Sequence, residues 1–471
     1  MPISQLKRDP WALATIAWCV VAMAYVFFIP VGNNLLLYPL ILSFAVLAGV
    51  NIIKNRLRVD RSFLLPAALW AAFVILGVVT AIAREAESWQ RTLVFFLVWP
   101  AIFSVVVVGF DRRLVRVMFT VGAWVTVLIG VVFLVEGLIL SGRLPAGVIP
   151  AWLARPILLR GVTDGTGMIA LSASSLPPLI WWGAMWIASM FCDPRDRFLP
   201  PVWLRTLAAT LAVVGAVASW RRAIVIVLVA APVIAVVMLV ALKFRNARGD
   251  SPAFSGRAFL RLGVVAVIAL ALSLVAQPHF VSMFGSAVGS STKIVEGQAP
   301  RLPTKNLPKV STHLTVAADN ALADEIRKNE SQNLLTAHSA ADWIVGRGFG
   351  ATIDRGGVVR DMKPWQTELQ YHAIFYWTGL IGVALVLAVA FTSLRALRKA
   401  FRVDDPLRAS LFVSSAGAIA ALVADATNPY LQAPGHLWPV FFPFMIASAI
   451  LGTRARAEQS APTSELVEQA G

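Results

Sequence analysis

Long apolar runs, separated by short polar segments, make up most of this chain. Each run has about 20 residues, which is the length that a helix needs to cross the hydrocarbon core of a bilayer. The pattern therefore predicts an all-α polytopic membrane protein with twelve transmembrane helices. The predicted spans lie near residues 11–30, 34–53, 63–83, 92–110, 117–140, 167–191, 204–220, 223–243, 262–279, 374–394, 409–425 and 437–452.

The polar segments alternate in charge along the chain. The five loops that follow spans two, four, six, eight and ten are basic, and they are 54–61, 111–116, 192–205, 243–261 and 394–408. Because short loops rich in Lys and Arg stay in the cytoplasm, the alternation predicts that both termini are cytoplasmic. Spans one to nine then occupy residues 1–279, spans ten to twelve occupy 374–452, and 453–471 form a disordered cytoplasmic tail.

One segment on the opposite side, residues 280–373, is much longer than the other connections. Loops of this length are usually functional. Its middle part, from Val316 to Val345, has a helical composition and contains no proline. We therefore expect helices that lie over the outer face of the membrane.

The composition agrees with a membrane protein. Hydrophobic residues make up 58% of the 471 residues and charged residues 14%, whereas soluble domains have about half and a quarter. The net charge of +16 would suggest a nucleic-acid partner in a soluble protein. Here it reflects the cytoplasmic loops, and we expect no nucleic-acid partner. Cys19 and Cys192 predict no disulfide, and the sequence has neither a Walker motif nor a metal-ligand pattern, so no cofactor or metal is predicted.

Arg221 and Arg222 interrupt the apolar pattern between predicted spans seven and eight. They stand in VASWRRAIV, residues 217–225, at or just below the outer interface of the predicted topology. One interpretation is that they reach out to lipid headgroups, as arginines near helix ends often do. The other is an anion site inside the bundle, since a guanidinium matches phosphate oxygens and the N-terminus of span eight adds a positive dipole end.

The end of the long loop contains three alternating glycines. Gly346, Gly348 and Gly350 lie in VGRGFGA, with Arg347 between the first two. This pattern alone is a weak indication of phosphate binding, but it permits a tight backbone turn with exposed amides. Further along, the stretch GLIG at 379–382 predicts a small-residue packing surface inside the membrane.

Three residues near this loop are candidates for a general base. Glu368 and His372 are four residues apart, which predicts that they share one face of the helix leading into span ten. A carboxylate or an imidazole there can accept a proton, or each can be a solvated interfacial residue. His338 lies on the expected loop helix and faces either the site or the solvent. Asp425, near the outer end of span eleven, is expected to pair locally with an arginine.

These stretches together resemble the bacterial O-antigen ligases and the related O-antigen polymerases and O-oligosaccharyltransferases. Arg222 followed by Ala223 is similar to the Arg-Ala step that the family has at the outer start of a span. The glycine pattern VGRGFGA, the later YWTGLIG, and GVTDGTGMIALS at the start of span six are similar to further local patterns. Arg327 stands where the family has an arginine early in the loop helix. The resemblance covers nearly the whole chain.

The sequence departs from that family at one position. Many ligases carry a His-Asn pair before the last glycine motif, where this chain has Glu368 and Leu369. The resemblance therefore carries over no catalytic histidine. It leaves Glu368, His372 and His338 as alternative catalytic bases.

The resemblance implies a glycosyltransferase of lipopolysaccharide biosynthesis in the bacterial inner membrane, with its active site on the periplasmic side. Such an enzyme moves a glycan from undecaprenyl diphosphate to a hydroxyl of the lipid A core, in one inverting displacement without a metal. It is expected to act as a monomer. Arg222, together with Arg221, Arg327 and Arg347, would bind the diphosphate.

Two alternatives remain open at this point. An O-antigen polymerase uses the same donor and the same arginines but joins lipid-linked repeat units. A transporter for a lipid-linked sugar would use the arginines only for binding, and we would expect broken helices and mid-membrane charges in both halves. One concentrated charged region at one face favours an enzyme.

Overall fold

The computed structural model describes residues 10–31, 33–55, 57, 59–163, 169–243, 257–276, 316–336, 339–352, 367, 369–426 and 428–460. The side chains of 10–13, 162–163, 222, 243, 316–324, 326 and 453–460 lie outside that description. In this part of the chain, nine helices are long and apolar enough to cross a membrane, and two further apolar helices are shorter. The prediction of a helical multi-pass membrane protein is confirmed at this level.

The helices overlap all the predicted spans. The first eleven are α1 (Pro10–Phe28), α2 (Asn34–Asn55), α3 (Leu64–Ala83), α4 (Trp89–Leu93), α5 (Trp99–Gly109), α6 (Leu114–Leu140), α7 (Ala151–Ala154), α8 (Pro178–Ser189), α9 (Val202–Ser219), α10 (Arg222–Lys243) and α11 (Ala258–Ala276). The others are α12 (Val316–Thr336), α13 (Ala340–Val345), α14 (Gln370–Phe401), α15 (Arg408–Asp425) and α16 (Trp438–Ser460). A π-helical turn (Val94–Val98) joins α4 to α5, and 3-10 turns precede α3 (Arg61–Phe63) and separate α15 from α16 (Tyr430–Gln432 and Pro434–His436).

Span six differs from the predicted helix over 167–191. Its first part belongs to a β-hairpin in which β1 (Arg160–Thr163) pairs antiparallel with β2 (Ile169–Ser172). The helix α8 begins only at Pro178, because proline has no N–H to donate and is tolerated only in the first turn of a helix. With 12 residues, α8 is shorter than the roughly 20 residues that cross a bilayer core. Among the described residues this hairpin is also the one departure from an all-α fold.

Two C-terminal helices extend beyond their predicted bounds. The helix α14 has 32 residues, and Gly379, with φ +60° and ψ −163°, interrupts its helical geometry. The helix α16 continues to Ser460, past the predicted start of the tail at residue 453. Residues 461–471 lie outside the described part of the chain.

Contacts between distant segments group the basic connections at one end of the bundle. Arg112 makes a two-point ion pair with Asp405, with both N···O distances at 2.9 Å. Lys399 pairs with Asp60 at 2.8 Å. Three of the basic segments predicted to share one side are therefore joined by ion pairs, and the candidate functional residues lie at the other end of these antiparallel helices.

The helix α8 lies at the centre of the bundle, where all of its residues are buried. Trp182 and Trp186 stack with ring centroids 5.3 Å apart. A helix that is apolar on all sides is stable only when other helices surround it, and here α6, α9, α10 and α15 do so. At its N-terminal end, the ring of Trp181 lies 5.4 Å from that of His436, so this core supports the end of the bundle that carries the candidate site.

Candidate functional site

The turn between α9 and α10 carries the two arginines singled out in the sequence. The helix α9 ends at Ser219, and Trp220 then adopts a left-handed conformation with φ +55°. This conformation is uncommon for a bulky residue, but it reverses the chain within two residues. The Arg221 N–H donates to the Ser219 hydroxyl at 3.2 Å. The predicted tight turn between the two spans is confirmed.

Arg221 and Arg222 differ in what the structure describes of them. The Arg221 side chain is exposed and makes no ion pair with another described residue. Arg222 is the first residue of α10, and its side chain lies outside the description. The Arg221 guanidinium is therefore accessible to an anionic ligand at the end of the bundle opposite the basic segments.

A second polar element at this end connects α15 to α16. We call residues 428–436 the tyrosine turn. The Asp425 carboxylate, fully buried at the end of α15, accepts a hydrogen bond from the Leu431 N–H at 3.0 Å. The Tyr430 N–H donates to the Asn428 carbonyl at 2.7 Å. The expected local partner of Asp425 was an arginine; the hydrogen bond observed is to the backbone of the tyrosine turn.

His436 fixes the other side of the tyrosine turn. Its Nδ1 lies 3.0 Å from the Tyr430 carbonyl oxygen, and because a carbonyl only accepts, Nδ1 carries the proton. Burial lowers the pKa of His436 to about 4, although the hydrogen bond to the Tyr430 carbonyl opposes this. The imidazole is therefore neutral at pH 7. Its Nε2 is a bare acceptor and has no hydrogen-bond partner among the described groups.

The loop helix α12 and the start of α14 meet at the tyrosine turn. The Glu330 carboxylate, buried on α12, accepts a hydrogen bond from the Leu369 N–H at 3.4 Å. The next residue, Gln370, accepts one from the side-chain amide of Gln432. Arg327 precedes Glu330 by three residues, about one helical turn, so this chain of contacts brings Arg327 towards the same turn.

Electrostatics link the predicted arginines to one tyrosine. Burial raises the pKa of Tyr430 to about 12, while the charges of Arg221 and Arg327 act to lower it and that of Asp425 acts to raise it. Two cations from separate elements therefore act on the same phenol. Arg221 directly precedes α10, which packs against α15, and Arg327 lies on α12, which contacts the start of α14. Two of the predicted diphosphate-binding residues therefore lie at the end of the bundle that carries the tyrosine turn.

The glycine-rich loop end has a different character. We call residues 346–350 the glycine turn. Gly346, Gly348 and Gly350 all have positive φ, at +76°, +88° and +73°. A Cβ at Gly348 would overlap the backbone of Ala81 on α3. The glycines therefore allow the turn to dock closely between α3 and α14.

The backbone amides of the glycine turn are not exposed, contrary to the sequence-based expectation. The Arg347 N–H donates to the Tyr376 carbonyl at 2.9 Å, and the Gly348 N–H donates to the Trp377 carbonyl at 2.8 Å. The Phe349 N–H donates to the Gly77 carbonyl at 3.0 Å. Because the protein's own carbonyls occupy these donors, the turn offers no amide cradle for a phosphate.

Arg347, the fourth predicted diphosphate-binding residue, lies in an ion-pair network next to this turn. The Asp342 carboxylate, buried on α13, pairs with Arg84 at 2.9 Å and with Arg347 at 3.3 Å. Burial acts to raise the pKa of Asp342, but hydrogen bonds from Ser339 and the charges of both arginines outweigh it, and the pKa lies below its ordinary value. The network ties the loop helix α13 to the end of α3.

Apolar packing holds the glycine turn in place. Phe349 is fully buried, and its ring stacks on Phe96 with centroids 5.0 Å apart. Gly77 leaves room for the Phe349 ring, since a Cβ there would overlap it. A Cβ at Gly379 would overlap the backbone of Ile344, so the GLIG stretch packs at this glycine against the loop end. The predicted location of this packing inside the membrane stays a prediction.

Of the three candidate bases, only His372 lies in the described part of the chain. His372 lies in the first turn of α14 and is partly buried. The helix α14 begins at Gln370, and Glu368 lies outside the described residues, so the predicted helix face shared by Glu368 and His372 stays a prediction. The side chains of Glu368 and His338 lie outside the described residues, and their roles stay predictions.

The sequence patterns do not point to Tyr430, Gln370 or Gln432, and they indicate no role for His436. A signal for this region existed, because the proline-containing stretch NPYLQAPGH begins three residues after Asp425, where an apolar span ends. Asn, Pro and Gly are typical of a tight turn. The sequence could not show that this turn lies beside Arg221 and Arg327, which are about 100 to 200 residues away and meet it only through the packing of helices.

In the described part of the chain, no group of three His, Cys, Asp or Glu side chains could hold a metal ion. No known protein family matches the sequence, and no curated protein does.

Proposed function

We propose that this protein is an O-antigen ligase, a glycosyltransferase that moves a glycan from undecaprenyl diphosphate to a hydroxyl of the lipid A core. The observation that carries the proposal is that Arg221 and Arg327 lie at the end of the bundle that carries the tyrosine turn. Arg221 directly precedes α10, which packs against α15, and Arg327 lies on α12, which contacts the residues at the start of α14. Arg222 follows Arg221 and is the first residue of α10. A cluster of arginines at one end of a membrane bundle suits a lipid-linked anion with several phosphate oxygens.

The chemistry of glycan transfer explains why cations are needed there. When the bond between the sugar and the phosphate breaks, negative charge grows on the leaving diphosphate. Cationic donors fixed at that position lower the barrier, by roughly 3 to 4 kcal/mol for each well-placed group. In this proposal Arg221, Arg222 and Arg327 supply those donors, without a metal, and the first turn of α10 adds the positive end of its dipole.

The acceptor hydroxyl must lose its proton as it attacks the anomeric carbon. In this proposal Glu368, His372 or His338 accepts that proton, and the sugar inverts in a single displacement. His372 lies in the first turn of α14, two residues after Gln370, and Gln370 contacts the tyrosine turn through Gln432. This position supports His372 as one of the three candidate bases.

The same proposal includes the finer topology. The chain crosses the bacterial inner membrane twelve times, both termini are cytoplasmic, and residues 280–373 form the periplasmic loop. The ion pairs Arg112–Asp405 and Lys399–Asp60 support it, because they gather the basic segments at one end. The arginine cluster lies at the opposite end, which is then periplasmic by the positive-inside rule. The enzyme acts as a monomer.

A transfer assay in detergent tests the proposal. Purified protein is mixed with glycan-loaded undecaprenyl diphosphate and rough lipopolysaccharide, without metal or ATP, and the products are resolved on a gel. We expect glycan on the lipid A core. A ladder of longer lipid-linked chains that does not depend on lipopolysaccharide would instead identify a polymerase. No product, with the donor still bound, would point to a carrier and contradict the enzymatic proposal.

A further inference from the structure

Tyr430 is held from both sides more firmly than a connecting turn requires. Its carbonyl accepts from His436 Nδ1 and from the Ala433 N–H at 3.1 Å. The next residue, Leu431, donates its N–H to the Asp425 carboxylate. A further constraint comes from Gly435, where a Cβ would overlap the backbone of Pro30 at the end of α1. The position of the tyrosine is therefore determined by three separate parts of the chain.

This arrangement leaves buried polar atoms without partners. Among the described groups, neither Asp425 Oδ2 nor His436 Nε2 has a hydrogen-bond partner. Asp425 is also the last residue of α15, where the negative end of the helix dipole disfavours a carboxylate. Buried polar atoms without partners are unfavourable for folding and call for an explanation. Both residues use their other polar atom to fix Tyr430 and its neighbour.

The Tyr430 hydroxyl itself remains available for a ligand. The side chain is only partly buried, and its hydroxyl makes no hydrogen bond to another described residue. The charges of Arg221 and Arg327 both act on it. A phenol is a neutral donor, so it adds a hydrogen bond to an anion without adding repulsion between the two cations.

We propose that Tyr430 donates a hydrogen bond to the diphosphate of the lipid-linked donor, and that Asp425 and His436 are positioning residues that fix Tyr430 at the end of the bundle that carries Arg221 and Arg327. This inference rests on the proposed function, because it concerns the same site. It adds a neutral third donor from the tyrosine turn to the arginines of α10 and α12. When the sugar leaves, the phenol shares the charge that develops on the phosphate oxygens.

Direct binding of undecaprenyl diphosphate without a glycan tests the contact independently of catalysis. The full-length protein in detergent is titrated with this lipid and, in parallel, with undecaprenyl monophosphate. We expect Tyr430→Phe to weaken diphosphate binding about tenfold, since a hydrogen bond to a charged group is lost, and to slow transfer. Tyr38→Phe is the matched control, because Tyr38 on α2 has no hydrogen bond from its hydroxyl in the described structure and packs on Trp99.

The positioning residues are tested by rescue and by coupling. Asp425→Asn keeps an oxygen that can accept from the Leu431 N–H, so we expect binding within about twofold of the wild type. Asp425→Ala removes that acceptor and should weaken binding about as much as Tyr430→Phe. The double variant should be no weaker than either single variant, because both act through one contact. Thermal unfolding of each variant verifies the fold.

The results separate this inference from the proposed function. If the wild type binds the diphosphate but transfers no glycan, the proposed function fails, and the Tyr430→Phe titration still decides the contact. If Tyr430→Phe binds the diphosphate as tightly as the wild type, the contact is overturned. Additive losses in Asp425→Ala and in the double variant would show that Asp425 does not act through Tyr430.

Discussion

The glycine turn and the tyrosine turn lie at the same end of the bundle, and both combine an aromatic residue with turn-forming glycine or proline. The two turns differ in whether their polar groups find hydrogen-bond partners within the protein. In the glycine turn, three consecutive amides donate to carbonyls of α3 and α14, and Arg84 and Arg347 share the Asp342 carboxylate. In the tyrosine turn, Asp425 Oδ2 and His436 Nε2 have no partner among the described groups.

This difference indicates where a ligand belongs. Polar groups that are satisfied within the protein stabilise the fold, whereas groups held in place without a partner are suited to meet a substrate. The glycine pattern, which looks like a phosphate loop in the sequence, docks the loop end onto the membrane helices. The turn without a recognised motif follows α15, against which α10 packs directly after Arg221, and it contacts the start of α14 beside the helix of Arg327.

Of the variants that test this comparison, Arg222→Ala should have the largest effect, and that effect is on glycan transfer. We expect it to abolish detectable glycan transfer while the protein stays folded, because a cation is lost where charge develops on the leaving diphosphate. Arg143→Ala is the control, since Arg143 is exposed in the connection that follows α6. Transfer rates and gel filtration measure the two effects. Wild-type transfer by Arg222→Ala would rule out the diphosphate site.

The identity of the base is tested by a pair of variants. If Glu368 is the base, Glu368→Gln should slow transfer by roughly 100-fold or more, and His372→Ala should have a much smaller effect. Initial rates at saturating donor measure both. The reverse order would assign the proton transfer to His372. Small effects of both variants would leave His338 as the candidate base.

A methyl group in the glycine turn tests its structural role. Gly348→Ala should lower the free energy of unfolding by about 3 kcal/mol, from a strained backbone and from overlap with Ala81. Gly147→Ala is the matched control, because Gly147 also has a positive φ, +90°, but no atom lies within 4 Å of its Cβ position. It should lose only about 1 kcal/mol. Thermal unfolding in detergent measures both, and equal losses would show that docking contributes little.

The smallest effect concerns the Asp342 network and its pH dependence. Because the pKa of Asp342 is lowered on folding, its stabilising contribution is complete above the pKa of the unfolded carboxyl and is lost as pH falls through the folded pKa. Asp342→Asn should therefore cost about 1 kcal/mol at pH 7, and the difference from the wild type should vanish in acid.

The control for this network is Asp404→Asn. The Asp404 side chain is 93% exposed in its pair with Arg408, so we expect almost no change in unfolding temperature at any pH. A loss at Asp342 that does not depend on pH would mean that packing, and not charge, is responsible for its effect.

The sequence predicted the parts of the structure that depend on local patterns. Apolar runs gave the helices, and alternating charge gave the end at which Arg112 and Lys399 pair with acidic residues. It failed where two prolines delay α8 and leave room for the hairpin. Prolines at the start of a helix were a visible signal, but a run of apolar residues masked it.

The candidate site was predicted less completely. The tight turn at Arg221 followed from the lack of polar length between two spans, and Arg327 followed from the family resemblance. Tyr430 and the buried atoms of Asp425 and His436 could not be predicted, because their significance depends on which hydrogen bonds remain unfilled after packing. The glycine turn was misinterpreted for the same reason, since a sequence does not show which carbonyls will meet its amides.

The most direct test of the central claim is an electron cryo-microscopy structure of the protein with undecaprenyl diphosphate bound. The account predicts that the phosphates lie against Arg221, Arg327 and the Tyr430 hydroxyl, with the glycine turn still closed by its own hydrogen bonds. Phosphates bound instead at the glycine turn, between Arg84 and Arg347, would contradict it.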